Sequence, residues 1–236
     1  MKALLIDLDD TLLDYSGGVE DCWMGACHTV ATPAGIEAAR LLAQLGKSRR
    51  WFWDDPERHR RERTDMMGAW TKIVAHALET VGPGREGLAG EIAEAFAASR
   101  WNRMALFPGV REALQRLRER GLPLALVTNG DKRQQRRKIE RWDLAGFFDV
   151  IVIEGEFGVG KPEERVYRHV LDALAVAPTS AWMVGDNLEW DVAAPQRLGL
   201  SAVWVDGPGR GLPEGSPVRP DRIVRAFPEL LEAGRR

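Results

Sequence analysis

Short apolar runs recur along this chain at intervals too long for hairpins, and this recurrence is the feature that most restricts the fold. The runs cover residues 3–8, 122–127, 150–153, 181–184 and 202–205. Continuous apolar runs of this kind are typical of strands buried on both faces of a parallel sheet. Helical patterns separate the later runs, such as Val110, Leu114 and Leu117 on one helix face. The sequence therefore predicts an α/β fold built on a doubly wound, mostly parallel sheet.

The first two runs are separated by a long segment without a strand pattern. Its apolar spacing predicts helices over about 19–45, 56–81 and 88–101, with breaks near 46–50 and at Gly82-Pro83-Gly84. We therefore expect two domains. Residues 1–14 and 105–236 would form the α/β core, and residues 15–104 an all-helical insertion.

Composition favours a protein that acts on small solutes. The chain has 236 residues, is 44% hydrophobic and carries a net charge of -2, so it lacks the basic field that nucleic acid or an anionic membrane surface would attract. The apolar start is too short for a signal peptide, and no run approaches the roughly 18 residues of a membrane span. We expect a cytoplasmic monomer or homodimer. Cys22 and Cys27 fit neither a zinc nor a redox motif and are predicted to be ordinary thiols.

The first apolar run leads directly into Asp7-Leu8-Asp9-Asp10-Thr11. Residues i and i+2 leaving a strand share one side of it, so Asp7 and Asp9 stay close if the next turn is tight. Two close carboxylates attract a cation or share a proton. The alternative is a helix start, with Asp9 or Asp10 as the N-cap and Thr11 in the first turn.

Polar residues also follow the later runs, where open α/β sheets bind their ligands. They are Thr128-Asn129-Gly130, Lys161-Pro162 at an expected helix start, and Gly185-Asp186-Asn187 followed by Asp191. Three clustered carboxylates repel one another unless a cation neutralises them, and such hard oxygen ligands favour Mg²⁺. A hydroxyl, an ammonium and backbone N–H groups are suited to phosphate oxygens.

Each of these motifs also has a purely structural interpretation. Thr128-Asn129-Gly130 is equally typical of a turn with Asn129 or Gly130 at positive φ, and Gly185-Asp186 of a loop. Lys161-Pro162 fits a solvated helix start, and Asp191 fits a favourable charge in a first helical turn. Their joint order along the chain favours a single site.

In that order and spacing, the motifs resemble those of the haloacid dehalogenase-like hydrolase superfamily. Its four motifs correspond in turn to these residues: Asp7, Asp9 and Thr11; Thr128; Lys161; Asp186 with Asp191. The resemblance covers residues 1–14 and 105–208, and the helical insertion resembles the cap that this family inserts after its first motif. Trp190 and Glu163-Glu164 depart from residues common in relatives.

The resemblance implies a Mg²⁺-dependent phosphatase that hydrolyses a small phosphomonoester, a sugar phosphate or nucleotide-like metabolite, through an aspartyl phosphate. Asp7 would be the nucleophile and Asp9 the general acid and base. Mg²⁺ would be held by Asp7, Asp186 and the backbone carbonyl of Asp9, with Asp191 orienting the metal shell. Phosphate would be bound by Thr128, Lys161 and backbone groups near Asn129.

Three other functions are alternatives to a phosphatase. A dehalogenase is disfavoured because a halide leaves without a proton, which makes an acid at Asp9 unnecessary. A sugar-phosphate mutase would retain Asp9 and stays open. A non-catalytic phosphate-binding module also stays open, although every residue required for the chemistry is present.

Two sets of side chains outside the motifs have both a functional and a structural interpretation. The insertion carries aromatic and basic residues that either contact substrate or pack helices, and packing is favoured: Trp23, Trp51, Trp53, Trp70, Trp101, Arg58, His59, Arg60, Arg61 and Arg63. A later basic helix is predicted to expose the side chains of Arg133, Arg136, Arg137, Lys138 and Arg141. Trp190 is expected to pack against the core.

Overall fold

The computed structural model describes residues 1–85 and 87–231, and the chain divides into two compact units. One unit is Ser16–Met104, and the other joins Met1–Tyr15 to the described residues from 105 onward. The sequence predicts Tyr15 in the insertion, but in the structure Tyr15 belongs to the same unit as Asp7. Residue 86 of the predicted insertion and residues 232–236 of the predicted core lie outside the described residues.

The Ser16–Met104 unit is built of helices. They are α1 Val19–Ala26, which continues as a π-helical turn Cys27–Ala31, α2 Ala38–Trp53, α3 Pro56–Glu62, α4 Met66–Val81 and α5 Leu88–Arg103. Cys22 and Cys27 are free, buried thiols, as predicted. Among the described residues, no helix combines the length and apolar character needed to cross a membrane.

The predicted helix break near residues 46–50 is wrong, because α2 runs through it. Leu41, Leu45 and Phe52 lie on one buried face of α2, so packing on both sides of Gly46 outweighs its low helix propensity. The chain turns earlier, at residues 32–37, where Gly35 has φ +79. A second, unpredicted break separates α3 from α4, since the Asp65 carboxylate accepts a hydrogen bond from the Gly68 N–H and caps α4.

Aromatic packing holds the helical unit together. Trp23 is 1% exposed and stacks on Phe96 with ring centroids 3.6 Å apart, while Trp70 meets Phe96 edge-on. The packing interpretation is therefore confirmed for Trp23 and Trp70. Trp51 is 48% exposed, but His76 stacks on its ring and Arg58 lies over it at 4.1 Å.

The other unit contains the predicted parallel sheet. The strands of the sheet are β1 Ala3–Ile6, β4 Leu124–Thr128, β5 Val150–Ile153, β6 Ala181–Gly185, β7 Ser201–Val205 and β8 Arg222–Val224. A separate two-stranded ribbon is formed by β2 Leu13–Asp14 and β3 Ala105–Leu106. The sheet order is β5-β4-β1-β6-β7-β8, and its neighbouring strands pair in parallel. Because β1 lies between β4 and β6, the residues that follow these three strands meet at one edge.

Helices connect the strands of this sheet. They are α6 Val110–Glu119, α7 Lys132–Arg141, α8 Glu154–Phe157, α9 Glu164–Ala173 and α10 Ala194–Arg197, with a π-helical turn Leu188–Ala193 and 3₁₀ turns Ala145–Phe147, Pro178–Ser180 and Phe227–Leu231. Val110, Leu114 and Leu117 are buried on α6 as predicted. The five apolar runs are all strands. The fold class is therefore confirmed.

Three elements of this unit differ from the sequence prediction. Lys161 and Pro162 do not begin a helix but form a turn, joined by a cis peptide bond, ahead of α9. The ribbon of β2 and β3 has two residues in each strand, too few for a periodic signal. The edge strand β8 was missed because Val224 is its one buried residue.

We expect Trp23→Ala to lower the free energy of unfolding by about 3–5 kcal/mol, because it empties the centre of the helical packing. Urea denaturation of the full chain, followed by circular dichroism, measures the change. The matched control is Trp51→Ala, which removes an exposed ring and should cost about 1 kcal/mol or less. Equal losses in the two variants would contradict this description of the packing.

Candidate active site

The loop after β1 makes the tight turn that the sequence predicted as one alternative. The N–H groups of Leu12 and Leu13 both donate to the Leu8 carbonyl, at 2.9 and 3.0 Å. Asp10 has φ +58, a left-handed conformation that Asp tolerates because its short side chain bonds locally, and its carboxylate accepts from the Tyr15 N–H at 3.1 Å. The alternative helix start at Asp9 or Asp10 is wrong, since this segment turns back into β2.

A buried lysine joins the first motif to the third and fourth. The Lys161 ammonium is 1% exposed and donates to Asp7 Oδ1 at 2.7 Å and to Asp191 Oδ1 at 2.6 Å. The second oxygen of Asp7 accepts from the Thr11 hydroxyl at 3.3 Å. Burying an ammonium is costly unless it is paired, so these two ion pairs fix Lys161 between the carboxylates.

Asp186 completes the acidic cluster. Carboxylate oxygens of Asp7, Asp186 and Asp191 lie within 4.8 Å of one another. Asp186 directly follows β6, and β6 pairs with β1 in the sheet. Asp186 therefore lies beside Asp7, which directly follows β1. The structure thus brings together four of the predicted site residues from three separate motifs.

Burial controls the ionisation of this cluster. It raises the pKa of the Asp7 carboxyl above its ordinary value, although Lys161 lowers it in part. It also raises the pKa of Asp186, and the charges of Asp7 and Asp191 add to the rise. Burial alone would lower the pKa of Lys161, but the charges of Asp191 and Asp7 outweigh burial and raise it. Lys161 therefore remains an ammonium, but its single positive charge does not balance the negative charge of the carboxylates around it.

The donor set fits a divalent, oxygen-binding cation. Three carboxylates and one ammonium carry a net charge of two negative units, which one divalent cation would balance. Asp7 and Asp186 offer carboxylate oxygens suited to a hard cation such as Mg²⁺. Asp191 is already engaged, because its second oxygen accepts from the Asn187 N–H at 3.0 Å. Both oxygens of Asp191 are therefore bonded, one to Lys161 and one to the Asn187 N–H.

The turn around Asp191 has a local cause. A Cβ at Gly185 would lie 2.2 Å from the Asp191 carboxyl carbon, so this close approach requires glycine. Asp191 lies in the first turn of the π-helical segment Leu188–Ala193, as its structural interpretation predicted. Trp190, in the same turn, is half-buried, and its carbonyl accepts from the buried Tyr167 hydroxyl.

Thr128 and Asn129 serve different purposes. The Asn129 side chain donates to the Lys161 carbonyl at 2.7 Å and accepts from the Lys161 N–H at 2.8 Å, so it holds the lysine backbone in place. Thr128 ends β4, and its hydroxyl oxygen accepts from Gln135 at 2.6 Å. Gly130 has φ +117, so the predicted turn with a positive φ is present as well.

A second buried lysine pairs with Asp9, which is not part of the acidic cluster. The Lys138 ammonium donates to both Asp9 carboxylate oxygens at 2.8 Å, and Gln135 Nε2 donates to Oδ2 at 3.0 Å. The prediction that Lys138 is exposed with its neighbouring arginines is therefore wrong, because it is 2% exposed. Arg133, Arg137 and Arg141 are exposed, as predicted.

Sequence reasoning missed Gln135 and Lys138 because both lie in a highly charged helix. The signal was present. Lys138 and Ile139 follow Gln135 by three and four residues, so the three side chains share one face of α7, and this face is buried. A lysine on the same face as an isoleucine needs an anionic partner, and Asp9 supplies it.

The chain is similar to known hydrolases over most of its length. Residues 1–199 match the family model of haloacid dehalogenase-like hydrolases. A phosphoserine phosphatase from Thermus thermophilus is 36% identical over 99% of both chains, and an N-acylneuraminate-9-phosphatase from Mus musculus is 37% identical over 98% of this chain and 92% of its own.

The fold also matches a solved structure of this group. A putative HAD-hydrolase from Bacillus subtilis, solved with bound magnesium, has a TM-score of 0.72 at 20% identity and covers 97% of this chain and 96% of its own. The predicted enzyme class, a phosphoric monoester hydrolase, is confirmed by the phosphatase relatives. The chain belongs to the haloacid dehalogenase-like hydrolase family.

Proposed function

We propose that this protein is a Mg²⁺-dependent phosphatase that hydrolyses a small phosphomonoester metabolite through an aspartyl phosphate on Asp7. The observation that carries the proposal is the separation of two carboxylates. Asp7 lies in a buried cluster with Lys161 and Asp186, while Asp9 is held outside that cluster by its own lysine. Two carboxylates in different environments can take the two different roles that this reaction needs.

Asp7 acts as the nucleophile in this proposal. One of its oxygens attacks phosphorus, and the bond from phosphorus to the leaving oxygen breaks with its electron pair on that oxygen. Lys161 holds the attacking carboxylate in place through the 2.7 Å ion pair and offsets part of its charge. Bound Mg²⁺, held by Asp7, Asp186 and the Asp9 carbonyl, would supply positive charge that reduces repulsion between carboxylate and phosphate.

Asp9 handles the protons in both halves of the reaction. It gives a proton to the departing alkoxide, and it then takes one from the water that attacks the phosphorus of the aspartyl phosphate. The second attack breaks the bond between phosphorus and the Asp7 oxygen, which releases inorganic phosphate and regenerates both carboxyl groups. This order leaves no proton unaccounted for.

Thr128 and Lys161 bind the phosphoryl oxygens. Because the Thr128 oxygen accepts from Gln135, the hydroxyl keeps its own proton to donate. Its present acceptor is the Asn129 carbonyl at 3.4 Å, a long bond that a phosphate oxygen would readily replace. Asn129 contributes by fixing the Lys161 backbone through its side-chain amide.

The names of the relatives support a small alkyl phosphate as the substrate. Phosphoserine and N-acylneuraminate 9-phosphate are both phosphate esters of small metabolites. Their leaving groups are alkoxides, which depart poorly without a proton, and this requirement accounts for an acid at Asp9. We propose a substrate of the same chemical class.

A panel of phosphorylated metabolites tests the function directly. The panel contains phosphoserine, sugar phosphates, nucleoside monophosphates and N-acetylneuraminate 9-phosphate, and phosphate release is measured with Mg²⁺ for the native protein and Asp7→Asn. We expect release from at least one alkyl phosphate by the native protein and a loss of at least about 10⁴-fold in the variant. Retained activity in Asp7→Asn, or transfer of phosphate to a second sugar hydroxyl without its release, would refute this proposal.

Asp9→Asn should show a loss that depends on the leaving group. We expect kcat/KM to fall by about 10²–10⁴-fold with an alkyl phosphate, because its leaving oxygen needs a proton. The fall should be at least about tenfold smaller with 2,4-dinitrophenyl phosphate, whose leaving group departs unprotonated. Equal losses with the two substrates would exclude the acid role.

Mg²⁺ should stabilise the protein through Asp186. We expect a rise in Tm on addition of Mg²⁺ to the native protein, since a cation that binds only the folded state stabilises it. Asp186→Asn should lose most of this rise, and the control Asp172→Asn, at an exposed position on α9, should keep it. The same Mg²⁺-induced rise in both variants would show that Asp186 is not a ligand.

A further inference from the structure

Lys138 is a buried cation that the proposed chemistry does not use directly. It is 2% exposed on α7, and its ammonium contacts both oxygens of Asp9, Gln135 Oε1 at 2.7 Å and the face of the Tyr15 ring at 4.0 Å. Among the described residues, Asp9 is the carboxylate that pairs with it. A buried lysine without such a partner would be strongly destabilising, so the position of Lys138 and that of Asp9 depend on each other.

Gln135 extends this contact to the phosphate-binding threonine. Its amide nitrogen donates to Asp9 Oδ2 and to Thr128 Oγ1, and its amide oxygen accepts from Lys138. Gln135 and Lys138 lie three residues apart on the buried face of α7. One helix therefore supplies every donor that the structure records on the Asp9 carboxylate.

The helix that carries these donors is itself fixed relative to the site. α7 begins directly after the Thr128 turn, and its N-cap Asp131 accepts from the Gln134 N–H at 2.8 Å. Ile139 anchors the same face in the core. Donors on such a helix hold a carboxylate in one rotamer, whereas a carboxylate in an open loop samples several.

We propose that Lys138 and Gln135 are positioning residues that hold the Asp9 carboxylate outside the acidic cluster, in the orientation from which it serves the leaving oxygen. This inference rests on the proposed phosphatase function. Each of the two aspartates of the first motif then has its own buried lysine, Lys161 for Asp7 and Lys138 for Asp9. Proton transfer needs heavy atoms within about 2.6–3.2 Å, so a misplaced Asp9 would lose the transfer without losing the phosphate site.

The decisive variant is Lys138→Met, which keeps the length of the side chain and removes its charge. We compare kcat/KM for the best alkyl phosphate of the metabolite panel with kcat/KM for 2,4-dinitrophenyl phosphate. The ratio kcat/KM is used because it reports the steps up to departure of the leaving group. We expect a loss of about 10–100-fold with the alkyl phosphate and less than about threefold with the aryl phosphate. The matched control is Arg133→Met, exposed on the same helix, which should leave both values unchanged.

Coupling to Asp9 separates positioning from a merely structural role. In an Asp9→Asn background, Lys138→Met should cause no further loss with the alkyl phosphate, because the group that it positions is already gone. Losses that multiply across the two positions would overturn the inference. If Lys138→Met does not fold, Gln135→Met takes its place, and its loss of kcat/KM with the alkyl phosphate is again compared with its loss with the aryl phosphate. Any effect of Gln135 on phosphate binding through Thr128 is common to both substrates and cancels in this comparison.

The outcomes distinguish this inference from the function on which it rests. If the native protein releases phosphate and Lys138→Met loses equally on both substrates, the positioning role is wrong and the phosphatase proposal stands. If the native protein releases no phosphate from either substrate with Mg²⁺, both fall together. A loss confined to the alkyl phosphate, absent in the Asp9→Asn background, supports the inference.

Discussion

The ion pairs of the buried Lys161 ammonium are the interaction on which the rest of the site depends. They join Asp7 at the end of β1 to Asp191 in a π-helical turn, so segments far apart in the chain meet at one point. An ammonium taken out of water costs several kcal/mol unless it is compensated, and only the complete arrangement supplies both partners. Asn129 then fixes the lysine backbone from the end of β4. The sheet therefore brings together the partners that the buried ammonium requires.

In the proposed mechanism, a second lysine separates the roles of the two aspartates of the first motif. Asp7 and Asp9 are two residues apart, yet the turn after β1 directs them to different partners, Lys161 for one and Lys138 for the other. Two adjacent carboxylates in one pocket would share a single proton. Under the proposed function, separate cations would allow Asp7 to act as the nucleophile beside a metal while Asp9 exchanges protons.

Much of the fold and of the acidic cluster could be predicted from the sequence, because the causes are local. Runs such as residues 150–153 become buried strands, and parallel strands align the residues that follow them, which brings Asp186 beside Asp7. Long-range packing was not predictable in the same way. It carries α2 through Gly46, and it turns Lys138 from an expected surface charge into a partner of Asp9.

In the proposed mechanism, Asp7 takes the phosphoryl group onto itself. The most direct measurement is a crystal structure of the protein grown with Mg²⁺ and beryllium fluoride, which mimics a phosphoryl group on a carboxylate. We expect a beryllium atom bonded to an Asp7 oxygen, with a cation beside Asp186. Beryllium bonded to Asp9 or to any other residue, with Asp7 unmodified, would contradict it.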